Sequence, residues 1–396
     1  MKNDALPSPL LSPEYSLDDH SRQVILRLHQ REIEKAKTLP TDDPLDPKRL
    51  KRVELTWEEM WSQPAVIRST LEQERQAIME AARYFASTPI NKIILTGCGD
   101  SLAGAIGVRF VFEQLLRFQV EPVQAMDLAY YYNHFLNGQT LVIALSSSGA
   151  TTRAVEAIIM ARMRGAMTLA LSNTEGSPIM EEADRSILVH AERKGWPTQS
   201  STAAMATMVQ FAIDLAAARG VNNETVERYQ RDLDRVTYVM EDALSISNES
   251  IRQIAHNERL KKMYVFTGAG PCYASAVFGA AKVKECTPDW ALAIHMEEFH
   301  HYNSLKLGEP LLIIAPNGLS VSRAVDTARE GKRWGGQIYS IVGEGNSILN
   351  ELSDGLIMLP PVSEELSAFV FTMPVQLFGY HLAMEKFRQA ESDSKR

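Results

Sequence analysis

TGCGDSLAGA at 96–105 and TGAGPCYASA at 267–276 are two versions of one phrase, set 171 residues apart. Each follows a short apolar run, NKIILTG (91–97) and KMYVFTG (262–268), and each continues into a helical period, LAGAIGVRFVFEQLL and YASAVFGAAKVKE. Strand, glycine turn, helix is the opening of a βαβ unit. The register persists downstream at an offset of 170: LVIAL (141–145) meets LLIIA (311–315), and Arg153-Ala154-Val155 meets Arg323-Ala324-Val325. Gly165 meets Gly335 and Asp184 meets Asp354 at the same offset. A near-constant register over about 90 residues marks an internal repeat.

Working outward, short apolar runs at 91–96, 141–145, 167–171 and 186–190 have partners at 263–267, 311–315, 337–341 and 355–359. Helical periods separate them. The pattern predicts an α/β fold: two tandem Rossmann-like subdomains of flavodoxin type, with parallel sheets flanked by helices. The expected organisation is an N-terminal arm (1–52), a helical lead-in (53–85), a first subdomain (86–222), a helical connector (223–256), a second subdomain (257–385) and a tail (386–396). The arm contains one amphipathic stretch, 22–37, and is expected to pack on a neighbour or fray. Thr56 with Glu59 reads as a capping box opening a helix that runs to about Phe85.

A chain of 396 residues with 45% hydrophobic content is large enough for two cores. Its 41 basic and 49 acidic residues leave a net charge of −8, with no basic run, which argues against a nucleic-acid partner. No apolar run reaches the ~18 residues of a membrane span, and the polar N-terminus lacks a signal pattern. The three cysteines, Cys98, Cys272 and Cys286, have neither metal-ligand spacing nor a disulfide pattern, so a reducing cytoplasm is expected.

Ligands of open α/β sheets sit at the carboxyl ends of the strands. Two first-half segments lie there: Gly97-Cys98-Gly99-Asp100-Ser101 and Ser146-Ser147-Ser148-Gly149-Ala150-Thr151. Hydroxyls, free backbone N–H groups and a helix N-terminus together suit an oxyanion. The same serines could serve only as helix caps. The repeat argues otherwise. The second half reads Pro316-Asn317-Gly318-Leu319-Ser320-Val321 at these positions, and Cys272 replaces Ser101. Hydroxyls needed only for the fold should be needed twice. A dinucleotide site is disfavoured, because Leu102 stands where a third glycine belongs and only Glu113 and Glu121 are loose ribose candidates.

GCGDS, LSSSGATTRAVEA, LALSNTEGSPI and the C-terminal half together resemble the sugar isomerase (SIS) family over roughly 55–385. That family includes the isomerase half of glucosamine-6-phosphate synthases, ketose/aldose isomerases and fructosamine-6-phosphate deglycases. The resemblance implies that Ser101, Ser146, Ser147, Ser148 and Thr151 bind the sugar's anionic group, with Gly99 and Asp100 beside them and Ser200 on a later loop. It implies a catalytic glutamate at Glu285 in GAAKVKE, with Lys282 one turn earlier. MEEFHHYN resembles the family's histidine motif, which puts ring opening on His301 and the motif's glutamate on Glu298, His300 replacing the usual basic residue. It also implies a homodimer whose histidine reaches the neighbour's site. The chain departs from the pattern at Tyr302-Asn303, where the family has Gly-Pro, and in its tail, where Lys395 is a distant substitute for a substrate-contacting lysine. No glutamine amidotransferase segment precedes the repeats, so a complete amide-transferring synthase is not expected.

Ketose–aldose interconversion needs a group to open the ring, a base to carry a proton between neighbouring carbons, and charge to steady the enediolate. A histidine, a partly buried carboxylate and a lysine suit these tasks, and no cofactor or metal is required. Glu285 ends a helix, where the dipole opposes a carboxylate, and such a position favours a functional role. A zinc site from His295, His300 and His301 has no supporting spacing. The expected function is isomerisation of a hexose with an anionic C6 group, phosphate or another oxyanion such as sulfonate. The alternatives are a deglycase and, outside enzymes, a phosphosugar-sensing binding protein.

Overall fold

The computed structural model describes residues 8–38, 43, 45–302 and 305–395. Three helices lead in: α1 (Asp19–Ala36), α2 (Pro47–Gln73) and α3 (Arg75–Ala86). The first repeat then runs β1 (Lys92–Gly97), α4 (Asp100–Leu116), β2 (Gln119–Gln124), a one-turn α5 (Ala125–Asp127), β3 (Thr140–Leu145), α6 (Thr152–Met163), β4 (Met167–Ser172), α7 (Pro178–Glu182), β5 (Arg185–Leu188) and α8 (Gln199–Ala218). A long α9 (Asn223–Glu258) crosses to the second repeat: β6 (Met263–Gly268), α10 (Cys272–Cys286), β7 (Trp290–His295), β8 (Pro310–Ala315), α11 (Val321–Arg333), β9 (Gln337–Gly343) and β10 (Gly355–Leu359), closed by α12 (Ser367–Ser394).

Both sheets are parallel and five-stranded, in the orders β2-β1-β3-β4-β5 and β10-β9-β8-β6-β7. The second order, read backwards, is the first order one repeat later. In each sheet the order reverses beside the first strand of the repeat, which makes a crevice between β1 and β3 and another between β6 and β8. The central strands β3 and β8 are buried at every residue, as an apolar run in a two-sided sheet requires.

Two strands are absent from the expected set, β2 (QVEPVQ) and β7 (WALAIH). Both are edge strands with a half-wet face. Polar residues break up β2, whereas β7 carries the apolar run WALAI (290–294), which has no matching run in the first repeat. Pro122 is tolerated in β2 because the outer edge asks for no backbone donor.

The two repeats share a core. Phe112 and Phe211 of the first and Phe278 and Phe378 of the second belong to one cluster. Helices α4 and α10 meet closely across this seam. A Cβ on Gly107 would lie 3.1 Å from the side chains of both Ala274 and Ala368, contact tight enough to demand a small residue. Among the described residues, two helices are apolar enough to cross a membrane by composition, Gln199–Ala218 and Glu364–Ser394, and they are 78% and 94% buried inside the protein over their most apolar windows.

Two expectations are corrected. The arm packs on its own chain: Leu10, Leu17, Val24, Ile25 and Leu28 join a cluster with Val155, Ile158 and Ile159 of α6. Ser8 donates to Glu156, and Arg153 bonds His29, so the amphipathic face of α1 is spent internally. Thr56 and Glu59 do not open a helix either. Helix α2 begins nine residues earlier, where Asp46 accepts from the Lys48 N–H at 2.9 Å and Pro47 occupies the first turn. Thr56 and Glu59 instead face a loop: Thr56 Oγ1 accepts from Trp196 N at 2.8 Å, and Glu59 Oε1 accepts from the backbone of Lys194 and Gly195. Capping residues and loop-binding residues are chemically the same, so spacing alone could not separate them.

Candidate active site

The carboxyl edge of the first sheet opens onto three helix N-termini, those of α4, α6 and α8. Gly99 caps α4 with φ +58°. A Cβ on Gly97 would lie 2.6 Å from Ser101 Cβ and 3.1 Å from Leu145 O, so Ser101 sits against the end of β3, where the triple serine begins. The turn after β3 needs glycine at 149: φ is +60°, and a Cβ there would meet Ser177 Oγ at 1.9 Å. Ser146 Oγ donates to Thr151 Oγ1 at 2.9 Å, and the Ser147 carbonyl accepts from Asn173 N at 3.2 Å, tying the turn to the end of β4.

The cap-only reading does not account for these hydroxyls. Thr151 is the N-cap of α6, yet its side chain makes no cap bond. Ser148 Oγ accepts only a long 3.4 Å contact from Ala150 N, and the hydroxyls of Ser101 and Ser147 have no partner among the described residues. In the first turn of α8, Ser200 Oγ is buried without a partner, as is Thr198 Oγ1 of the cap. Buried hydroxyls left unsatisfied near a helix N-terminus fit a ligand that brings its own acceptors.

Facing this edge is the end of α10. Lys282 is fully buried. Its ammonium lies 2.9 Å from Asp100 Oδ2 and 2.6 Å from the Pro197 carbonyl, and it also contacts Glu285 Oε2. An ammonium has three N–H donors, and all three are engaged. Burial alone would push Lys282 toward the neutral form. The Asp100 and Glu285 carboxylates outweigh this and hold its pKa above the ordinary lysine range.

Glu285 keeps about a quarter of its side chain exposed, at 26%. Burial raises its pKa, Lys282 opposes the rise, Asp100 adds to it, and Arg52 opposes it. Arg52 comes from α2 and lies 3.5 Å over the ring of Trp196. Helix α2 thus pins residues 194–197, the stretch whose Pro197 carbonyl holds Lys282. A Cβ on Gly195 would lie 2.5 Å from Thr56 N, so that approach admits only glycine.

The histidines lie elsewhere. Glu285 ends α10 below β7, whereas His301 follows the upper end of β7, beyond the 3-10 turn Glu298–His300. The six residues of β7, roughly 20 Å of strand, lie between their levels along the sheet. His301 is exposed and pairs with Glu297 at 3.4 Å, and Glu298 is exposed beside it. His300 meets Thr327 Oγ1 at 3.0 Å, and His295 stacks on Tyr273 with ring centroids 3.4 Å apart. Tyr302 is exposed, and Asn303 lies outside the described residues.

The internal repeat supplies a comparison. At the offset of 171, Asp100, Lys282 and Glu285 correspond to Pro271, Val111 and Gln114. Gln114 and Pro271 line a cleft of about 460 Å³ with Phe110, Leu319 and Ser320, bordered also by Glu297, Arg323, Glu364 and Glu365. The pseudo-equivalent cleft therefore exists, but it lacks this ionisable trio. The trio itself joins a carboxylate and an ammonium of the second repeat to a carboxylate in the first turn of α4, the helix that also carries Ser101.

Fold and site define a class: a duplicated α/β protein with a cluster of hydroxyls at helix N-termini in one repeat and a buried lysine–carboxylate pair supplied by the other. The chain belongs to the SIS domain family, whose model matches residues 88–214 and 259–386. It is 30% identical to the isomerizing glutamine–fructose-6-phosphate aminotransferase of Thermococcus kodakarensis, over 82% of this chain and 54% of that protein. An enzyme of the same name from Thermus thermophilus is 26% identical, over 82% of this chain and 55% of that protein. The chain thus spans about half the length of the curated relatives it matches.

Among solved structures, the C-terminal domain of glucosamine-fructose-6-phosphate aminotransferase from Francisella tularensis superposes with a TM-score of 0.77 at 21% identity, over 84% of this chain and 96% of that one. Glucosamine-6-phosphate deaminase from Thermotoga maritima gives 0.66 at 21%, over 83% and 94%.

Proposed function

We propose that the protein is an aldose–ketose isomerase that interconverts forms of a hexose, or aminohexose, carrying an anionic C6 group. The anion is held by Ser101, Ser146, Ser147, Ser148, Thr151 and Ser200 at the N-termini of α4, α6 and α8. Glu285 carries the proton between C1 and C2 through a cis-enediolate. Its raised pKa keeps it poised nearer neutrality than an ordinary carboxylate, which suits a group that must both take and return a proton. With its three donors engaged, Lys282 steadies Glu285 and leaves the substrate oxygens to other groups.

His301 opens the sugar ring from the partner subunit of a homodimer. The wide separation of His301 and Glu285 within one chain favours this arrangement, and Glu298 supports the histidine's turn. The chemistry uses no cofactor, and its setting is the cytoplasm, where the free Cys98, Cys272 and Cys286 stay reduced.

The observation that carries the reading is the meeting of Glu285 from one repeat with the N-terminus of α4 in the other, bridged by Lys282. The names of the relatives favour a sugar phosphate. The test is incubation with fructose 6-phosphate, glucosamine 6-phosphate and fructoselysine 6-phosphate in deuterated water, followed by NMR. Deuterium at C1 or C2 supports isomerisation, release of lysine supports the deglycase, and tight binding without any exchange supports a sensor.

A further inference from the structure

We infer that Asp100 is a positioning residue: it anchors the Lys282 ammonium across the seam between the repeats, and Lys282 in turn holds Glu285. This rests on Glu285 being the proton carrier. Asp100 sits in the first turn of α4, where a carboxylate is ordinarily explained by the helix dipole. Here its Oδ2 turns instead to Lys282 at 2.9 Å, and only 9% of the side chain is exposed. An uncompensated carboxylate at this spot would also repel an anion entering the cradle, and Lys282 cancels it.

The repeat provides an internal control. Where position 100 becomes Pro271, position 282 becomes Val111 and position 285 becomes Gln114, so aspartate, lysine and glutamate are present together or absent together. The charged and titratable groups that face Glu285 and its partners are Lys282 and Cys286 on α10, Asp100 on α4, Arg49, Arg52 and Glu59 on α2, and Arg193 on the loop before α8. Asp100 is the carboxylate among them that shares the Lys282 ammonium with Glu285.

Replacing Asp100 with Asn removes a like charge from Glu285 and leaves Lys282 to serve Glu285 alone. Both changes favour the ionised glutamate. The acidic limb of the rate of deuterium incorporation into fructose 6-phosphate therefore moves to lower pH in D100N. The maximal rate falls about tenfold, because Glu285 is less well placed and a weaker base, while KM stays within about twofold. D100E restores the limb toward its original pH. D100T serves where D100N fails to fold.

A raised KM with an unmoved limb would make Asp100 a substrate ligand, and lowered thermal stability with an unmoved limb would make it purely structural; either overturns the inference. A separate readout needs no turnover. The Lys282 ammonium, assigned in a 15N spectrum by its loss in K282M, should be protected from solvent exchange in the wild type and exposed in D100N and D100T. Equal protection in all three overturns the anchoring. Failure of the wild type to exchange any sugar would instead count against the isomerase reading, leaving this measurement intact.

Discussion

Lys282 of α10 and Asp100 of α4 form an ion pair, 2.9 Å long, that crosses from the second repeat to the first. Lys282 is the point where the two halves exchange charge, and removing it strands two carboxylates in a largely dry seam. K282M is expected to cost roughly 3 kcal/mol of stability, the usual order for breaking a buried pair from one side. D100N/K282M should be less damaged than the two single losses added together, because the partners share the penalty. Urea unfolding of the four proteins checks this, and strict additivity would show that the contact contributes no coupling.

The hydroxyl cradle should act on binding and leave chemistry nearly untouched. Ser148→Ala and Ser200→Ala are each expected to weaken binding of fructose 6-phosphate about tenfold, the loss of one charge-assisted hydrogen bond. The maximal rate should stay within about threefold. Titration calorimetry and steady-state kinetics on the same preparations measure both quantities. An unchanged Kd in both variants would return these serines to a purely structural role.

Because His301 and Glu285 lie at opposite ends of β7, the proposed shared site predicts complementation between inactive subunits. Mixed E285Q and H301A protomers form heterodimers in which one site receives both native residues. Random mixing should restore about a quarter of the native activity, since half the dimers are mixed and each has one competent site. Mixtures as inactive as the separate variants would place the two residues in the same site of one chain, or remove His301 from the reaction.

The arm predicts a stability effect with a definite sign. Burial drives the Glu156 carboxyl up to about 7, above its ordinary 4.5, although Arg153 and Ser8 pull it down. The folded chain therefore holds this proton more tightly than the unfolded one. The contribution is complete below the unfolded value and is lost as pH rises through about 7. It amounts to something on the order of 3 kcal/mol. Urea midpoints of the wild type should fall between pH 5 and pH 8, and those of E156Q should fall less. Parallel curves would show that Glu156 does not carry the effect.

Much of this architecture was legible because duplication prints a fold twice. The offset of 170 to 171 located four strands in each repeat, and the hydroxyls missing from the second copy drew attention to the first-half turns proposed to hold the anion. The edge strand β2 escaped because polar residues and Pro122 break its apolar run, and β7 escaped although WALAI is apolar, because the first repeat offers no matching run at that offset. Thr56 and Glu59 misled because a hydroxyl and a carboxylate three residues apart satisfy a loop as readily as a helix end. Arg52, Pro197 and the Asp100–Lys282 pair were invisible for another reason. They lie 85 to 233 residues from the groups they serve, and only the docking of one repeat on the other brings them together.

The central claim is that Glu285 moves the proton while the cradle holds the sugar. Its most direct test is the initial rate of deuterium incorporation from solvent into fructose 6-phosphate, measured for the native protein and for E285Q at saturating sugar. The expected outcome is measurable incorporation by the native protein and a loss of at least about a hundredfold in E285Q, with Kd for the sugar nearly unchanged. Incorporation by E285Q at the native rate would contradict the account.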